Sequence, residues 1–259
     1  MFPRCAVLAA ATLLLGCDST TAPPPRTVLD FDFRTDPSGW RAAFSDYPQG
    51  READVEFVAG ERDLPAPLDP GRALYHRGVN ISDDLFMYFD RPVEGLEPGA
   101  EYRAWFRVEF ASAHGQGCAF GVGSSVFLKA GASGVELAGG VDDQGVIRLN
   151  VDKGEQQNGG ANAVLLGDIR NGAPGCEPDA PFAAAAREVP GASITVAAGG
   201  TGRLWLFFGS ESAFESEHEL YFTRLRVELE RVEAGPIGPY PSPGPGPPAP
   251  GPAPPRWGR

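Results

Sequence analysis

The fold class follows from the ten-residue stretch Glu101-Tyr102-Arg103-Ala104-Trp105-Phe106-Arg107-Val108-Glu109-Phe110. Its even-numbered residues are all apolar, and its odd-numbered residues are charged with the single exception of Trp105. Side chains of a β-strand point alternately to opposite faces, so a period of two over ten residues is typical of a strand with one buried face. The stretch therefore predicts a long strand whose polar face carries one tryptophan, either under a loop or as an exposed platform.

Further strands are predicted on both sides of this stretch. The same alternation recurs in three other segments, residues 29–33, 147–152 and 221–230. Three more runs are apolar at every position and are typical of strands covered on both faces: 85–89, 126–128 and 204–208. Turn residues rich in Gly, Pro and Asp separate these runs, and strands do not alternate with helices. We therefore expect an all-β protein, an antiparallel β-sandwich of jelly-roll type with about nine or ten strands.

At most one short helix is expected. Asp179 suits a helix cap, Pro181 suits a first helical turn, and residues 183–187 have high helix propensity. This segment predicts one or two helical turns.

Two sequence features resemble known sandwich families. Phe31-Asp32-Phe33 followed by Ser38-Gly39-Trp40, and the segment 93–102 with its Gly-Leu-Glu-Pro-Gly turn, resemble jelly-roll modules of the galactose-binding or carbohydrate-binding type. The resemblance covers about a third of the body and implies a fold. Residues 80–154 resemble uncharacterised secreted bacterial proteins, which implies no activity.

The first seventeen residues predict export. Arg4 is followed by an apolar run at residues 6–15, which has the length of a signal-peptide core and is too short to span a bilayer. The run ends in Leu14-Leu15-Gly16-Cys17, which resembles the lipobox of bacterial lipoproteins. That resemblance implies cleavage before Cys17, its lipidation with three acyl chains, and a lasting membrane anchor. An ordinary signal peptide that contains Cys17 is the alternative.

Four parts make up the predicted chain. They are a lipoprotein signal peptide (1–17), a Pro/Thr-rich tether (18–26), the sandwich domain (27–234) and a disordered Pro/Gly-rich tail (235–259). The expected location is the cell envelope, with the domain facing the periplasm or the exterior.

Charge and cysteine content narrow the partners. The chain has 22 basic and 34 acidic residues and a net charge of −12, which argues against nucleic acid as a partner. With Cys5 in the leader and Cys17 lipidated, Cys118 and Cys176 remain in an oxidising compartment. We expect them to form a disulfide, because two cysteines without nearby histidines make a poor metal site.

Two polar clusters are candidate binding sites. The first contains Asn80, Ser82, Asp83 and Asp84, and the second runs from Asn150 through Asp152, Lys153, Glu155, Gln156, Gln157 and Asn158. Amide and carboxylate side chains hydrogen-bond sugar hydroxyls, and oxygen-rich clusters suit calcium. The alternative for both is a solvated turn bonded to its own backbone. We predict a ligand site at Asn150, Asp152, Gln156, Gln157, Asn158 and Trp105, and a structural calcium site at Asp83 and Asp84.

Three classes of function remain. A non-catalytic binding module, with a glycan or another extracytoplasmic ligand, predicts an exposed aromatic ring beside the second cluster, supplied by Trp40, Tyr47, Tyr75 or Trp105. A structural or assembly lipoprotein contacting protein partners predicts a flat apolar patch. A glycoside hydrolase predicts two carboxylates in a cleft, but no catalytic motif is present around the three histidines or the serines.

Overall fold

The computed structural model describes residues 26–117, 120–176 and 180–233, and almost all of its regular structure is extended. Its fifteen strands, in chain order, are β1 (Arg26–Asp32), β2 (Arg41–Ser45), β3 (Tyr47–Pro48), β4 (Val58–Asp63), β5 (Arg72–Val79), β6 (Phe86–Val93), β7 (Glu101–Ser112), β8 (Val126–Ser133), β9 (Gly139–Val141), β10 (Val146–Leu149), β11 (Ala163–Asp168), β12 (Ala183–Glu188), β13 (Ile194–Ala197), β14 (Leu204–Ser212) and β15 (Glu217–Arg231). A 3-10 turn (Glu52–Val55) and one α-helical turn (Val122–Ser125) complete the described elements.

Two antiparallel sheets form the sandwich. Sheet A has the order β12-β7-β15-β5-β4, with β1 also paired to β15 and β13 also paired to β7. Sheet B has the order β11-β8-β14-β6-β2. The predicted all-β antiparallel sandwich is therefore confirmed.

The core lies between the two sheets and is rich in aromatic rings. Phe208 of sheet B stacks on Phe33 at 5.6 Å between ring centroids, and it meets Phe222 of sheet A edge-on at 5.0 Å. Aromatic pairs in these geometries add to the free energy gained by burying their area. The inward side of β7 is formed by the apolar residues that the alternation predicted, among them Ala104, Phe106 and Val108.

A third, small sheet covers the outer face of sheet B. It has the order β3-β10-β9, and Leu149 and Val151 pack against Tyr88, Trp205 and Phe207 of sheet B. This cover explains why the strands of sheet B are apolar on both faces, as their sequences predicted.

The helix predicted at residues 183–187 is wrong. Ala183–Glu188 is β12, an antiparallel partner of β7 with Ala185 opposite Phe110, and Asp179 lies outside the described residues. Alanine favours a helix only weakly, so the free hydrogen-bonding edge of β7 decides the outcome. The number of strands also exceeds nine or ten, because strands of two to four residues such as Tyr47–Pro48 are too short to show alternation.

Candidate functional site

Trp105 lies on the outer face of sheet A, away from the core. Its neighbours Ala104 and Phe106 point inward and are buried, whereas Trp105 is half-buried. On this face Trp105 stands opposite Glu228 of β15, and Arg107 stands opposite Arg226. The alternation in the sequence predicted that Trp105 lies on a charged face of its strand. The register between β7 and β15 adds the charged side chains of Glu228 and Arg226 to that face.

A groove opens around this tryptophan. It has a volume of about 410 Å³, and one wall is the turn Val189-Pro190-Gly191 that leads from β12 to β13. Gly191 has a φ of 81°, a left-handed conformation that favours glycine, and it lets the N–H of Ala192 bond the carbonyl of Val189 at 3.0 Å. The volume falls within the range typical of small-ligand sites.

Planar charged groups line the groove beside the indole ring. Arg107 donates to Glu188 at 3.0 Å and to Glu109 at 3.3 Å, and Arg226 lies 3.3 Å from Glu228. The pKa of Arg107 is raised, first by its hydrogen bond to Glu188. These side chains therefore place guanidinium donors and carboxylate acceptors around one aromatic ring.

Arg26 covers part of the tryptophan ring. Its guanidinium carbon lies 4.2 Å from the ring centroid, and its Nε donates to Glu230 at 2.9 Å. The Arg26 side chain is about half exposed, and exposed ion pairs contribute little stability. A ligand that stacks on Trp105 therefore has to displace the Arg26 side chain from the ring or stack beside it. The exposed ion pair with Glu230 opposes this displacement only weakly.

The groove continues along the sheet into a second, smaller cavity. This cavity has a volume of about 200 Å³, shares Arg107 and Arg226 with the first, and also reaches Asp30, Glu109 and Arg224. The two cavities together form an elongated surface suited to more than one ring of a ligand.

The second polar cluster lies on the opposite side of the molecule, where it covers sheet B. Asn150 bonds backbone groups of Glu136 and Ala138 at 2.8 and 3.0 Å, and Asp152 accepts the N–H groups of Gly154 and Ala161, both at 2.9 Å. These side chains close their own loop, as the solvated-turn alternative expected.

Other members of this cluster reach the surface. Gln156 donates to the backbone oxygen of Asp83 at 3.2 Å, while Gln157 and Asn158 are exposed. The structure does not bring these residues together with Trp105, because they lie on the outer faces of different sheets. Their binding role stays a prediction.

The first cluster has a structural arrangement. Buried Asn80 donates to the Ser212 oxygen at 2.8 Å and accepts the Leu85 N–H at 3.3 Å, and Asp84 accepts from Arg148 at 2.5 Å. Asp83 has a φ of 62°. The guanidinium beside Asp84 repels a cation, and within the described ranges no group of three or more His, Cys, Asp or Glu side chains is placed to hold a metal ion. Calcium at Asp83 and Asp84 stays a prediction that this ion pair disfavours.

A charged cleft of about 350 Å³ adjoins these two clusters. Arg148 donates to Asp46 at 2.7 Å and to Asp84 at 2.5 Å, and its Nε lies 3.5 Å from Asp142. The pKa of Asp142 is lowered, first by the backbone hydrogen bond from Val146. A glycosidase needs one carboxyl with a raised pKa as its acid. The cleft instead gathers its carboxylates around a cation.

Of the other predicted aromatic residues, Tyr47 and Tyr75 are buried and Trp40 is partly buried. Tyr47 and Tyr75 are 7% and 1% exposed, and Trp40 packs edge-on against Phe31 and Phe208 at 5.2 and 5.1 Å. Trp105, in contrast to these three residues, lines a surface groove. Sequence reasoning missed the arginines and glutamates around it, although their positions on the polar faces of β7 and β15 were a usable signal.

The cysteines and the leader can be placed only in part. Gln116 and Gly117 donate to the carbonyls of Ala173 and Gly175 at 2.8 and 2.9 Å, which brings the segments that precede Cys118 and Cys176 side by side. Cys118 and Cys17 lie outside the described residues, so the disulfide and the lipid anchor stay predictions. Across residues 26–117, 120–176 and 180–233, no helix has the length and apolar character needed to span a bilayer.

Comparisons with known proteins give only distant structural similarities. No protein-family model matches the chain, and no curated protein matches it. Among solved structures, the CBM22-1 xylan-binding domain of Paenibacillus barcinonensis Xyn10C is 10% identical with a TM-score of 0.37, over 82% of this chain and 100% of that domain. The K1 cleaved adhesin domain of Lys-gingipain from Porphyromonas gingivalis W83 is 12% identical with a TM-score of 0.33, over 78% of this chain and 97% of that one.

One further similar structure is the enzymatically active domain of tailspike protein 4 from bacteriophage CBA120. It is 12% identical with a TM-score of 0.29, and the match covers 75% of this chain but only 20% of the tailspike chain. The chain thus spans about a fifth of the length of that protein. At such low scores the similarities carry no argument about ligand or activity.

Proposed function

We propose that this protein is an exported, lipid-anchored and non-catalytic module that binds a glycan in the groove around Trp105. The observation that carries the proposal is the half-buried indole ring of Trp105, set in a groove of about 410 Å³ among arginine and glutamate side chains. The lipid anchor rests on the sequence Leu14-Leu15-Gly16-Cys17.

A pyranose ring complements this arrangement chemically. One face of a sugar carries polarised C–H groups, which are attracted to the negative face of an aromatic ring. Its hydroxyls come in adjacent pairs that match the two donors of a guanidinium or the two oxygens of a carboxylate. The groove has both kinds of partner within one surface.

The charge of the groove favours a polar ligand without a strong net charge. Arg26, Arg107 and Arg226 are accompanied by Glu188 and Glu228 in the lining. Because these opposite charges are paired, the groove offers hydrogen bonds rather than a strong electrostatic field.

The test is a glycan array with the mature protein, followed by calorimetric titration of the glycans that bind. Replacing a central aromatic residue of a binding site typically costs about 2 kcal/mol or more, so Trp105→Ala is expected to weaken binding about 30-fold or more. Trp105→Phe keeps an aromatic face and is expected to lose less.

Two control variants separate the groove from the other predicted site. Val28→Ala changes an exposed residue that pairs with Glu228 on the same sheet, and it should leave affinity unchanged. Gln157→Ala changes the exposed second cluster. If no polysaccharide binds, or if Gln157→Ala abolishes binding while Trp105→Ala does not, the groove is not the glycan site.

A further inference from the structure

Lys129 and Glu211 are the most deeply buried charged pair of the described residues. They lie on the adjacent strands β8 and β14, and both side chains are completely inaccessible to solvent. Lys129 is opposite Gly209, so Glu211 lies two residues further along on the same face of sheet B. The two side chains are thus diagonal neighbours on the outer face of sheet B, which the small third sheet covers.

The reacting atoms of the two side chains face each other. Nζ of Lys129 contacts Oε2 of Glu211, and neither atom has a further hydrogen-bond partner within the described part of the chain. A buried charge with few hydrogen bonds is costly, and an ion pair removed from water often fails to recover its desolvation cost. As an ion pair, Lys129 and Glu211 would therefore contribute little to the free energy of folding.

A third charged side chain, that of Lys153, contacts the same carboxyl group. Nζ of Lys153 donates to the other oxygen of Glu211, Oε1, at 2.5 Å, and it lies 3.3 Å from Oδ2 of Asp46. Lys153 is 5% exposed, and the Phe86 ring centroid lies 5.4 Å from its Nζ. Lys153 thus places a positive charge on the oxygen that would become negative if a nucleophile attacked the carboxyl carbon.

We propose that Lys129 and Glu211 condense to an intramolecular amide that cross-links β8 to β14. One proton passes from Nζ to Oε2, which gives a neutral amine and a neutral carboxylic acid. Nζ attacks Cδ of Glu211, the new C–N bond forms, and the carbonyl electron pair moves onto Oε1 beside the Lys153 ammonium. The pair then returns as the C–Oε2 bond breaks, and Oε2 leaves as water with a second proton from Nζ. No oxidant or cofactor is required.

The surroundings favour each step. Burial lowers the pKa of Lys129 and raises the pKa of Glu211, which promotes the neutral pair that reacts. For Lys153, burial lowers the pKa, but the charges of Asp46 and Glu211 outweigh it and raise the pKa overall, so this lysine keeps its proton. Holding amine and carboxyl in contact supplies an effective concentration far above any in solution. Burial also keeps away the water that would hydrolyse the amide.

The test is the intact mass of the full mature protein after treatment with a reductant, which opens the predicted disulfide. The wild-type protein is expected to be lighter by one water molecule than the mass calculated for its mature sequence with its acyl groups, and proteolysis should give one branched peptide joining the segments around Lys129 and Glu211. Lys129→Arg keeps the positive charge but removes the amine nucleophile, so this variant should have its full mass and no branched peptide.

Two further measurements make the outcome decisive. Lys153→Gln removes the charge from Oε1 and is expected to slow the loss of water, followed by mass from the first folding of protein that was produced as unfolded inclusion bodies. Loss of water without the branched peptide would place the dehydration elsewhere. A wild-type mass equal to the mass calculated for the acylated mature sequence without loss of water, in protein whose β-sheet signal shows that it is folded, would overturn the proposal.

Discussion

A buried histidine pair makes the stability of this protein depend on pH. His76 of β5 and His218 of β15 are 0% and 2% exposed, and both Nε2 atoms contact Oγ of Ser210 on β14, at 3.1 and 2.8 Å. Within the described residues neither Nδ1 atom has a hydrogen-bond partner. A doubly protonated ring would therefore carry an Nδ1–H group without an acceptor in the core.

The direction of the effect follows from the pKa values. Burial, followed by repulsion from His218, lowers the pKa of His76 well below 6.5. Burial, followed by repulsion from His114, lowers the pKa of His218 from 6.5 to about 3. The unfolded chain takes up these protons below pH 6.5 and the folded chain does not. The stabilising contribution is therefore complete above pH 6.5 and is lost as the pH falls toward about 3.

Linkage gives the size of the loss. A histidine that is protonated only in the unfolded state costs about 1.4 kcal/mol at pH 5.5 relative to pH 8, so the pair costs about 3 kcal/mol. With a urea m-value of about 2–3 kcal/mol/M, the unfolding midpoint should fall by about 1 M. His114, whose pKa is lowered first by burial, acts in the same direction.

Urea unfolding at pH 8, 7, 6 and 5.5 measures this loss. The double variant His76→Gln/His218→Gln keeps amide partners for Ser210 and is expected to retain only the smaller pH dependence of His114. The reasoning would be refuted by a wild-type midpoint that is the same at pH 8 and pH 5.5, or by a double variant whose midpoint falls as far as the wild type's.

Three other predictions concern packing, the disulfide and the anchor. Gly131→Ala would place a Cβ atom 2.1 Å from the carbonyl oxygen of Asn162, so the free energy of unfolding should fall by about 1–3 kcal/mol in urea titrations. A disulfide between Cys118 and Cys176 would close a loop of about 58 residues, so its reduction should cost up to about 4 kcal/mol, and a thiol assay of the unreduced mature protein should find no free cysteine. Cys17→Ala should abolish acylation and release the protein from the membrane fraction.

Each of these three tests has its own control or contrary outcome. Gly140→Ala is the matched control for packing, because a Cβ atom there meets nothing within 4 Å and the change should be nearly neutral. Two titratable thiols in the mature protein would contradict the disulfide. An unmodified and uncleaved amino terminus in the mass spectrum of the wild-type protein would contradict the anchor.

The sequence by itself determined the class of fold and the orientation of the long strands. The alternation in β7 and β15 assigned inward and outward faces correctly, because side-chain direction along a strand is a local property. It also placed Trp105 on the polar face of its strand. The sequence likewise predicted the central strands of sheet B, because strands that are covered on both faces are apolar at every position.

Only the tertiary structure decided what surrounds each of these residues. Glu228 and Arg226 reach Trp105 through a register between strands more than a hundred positions apart, and Lys129 meets Glu211 through the register of two other strands that are distant in the sequence. The free edge of β7 turned the helix-favouring residues 183–188 into a strand. Such contacts depend on pairing between distant segments, and local patterns carry no information on which segments will pair.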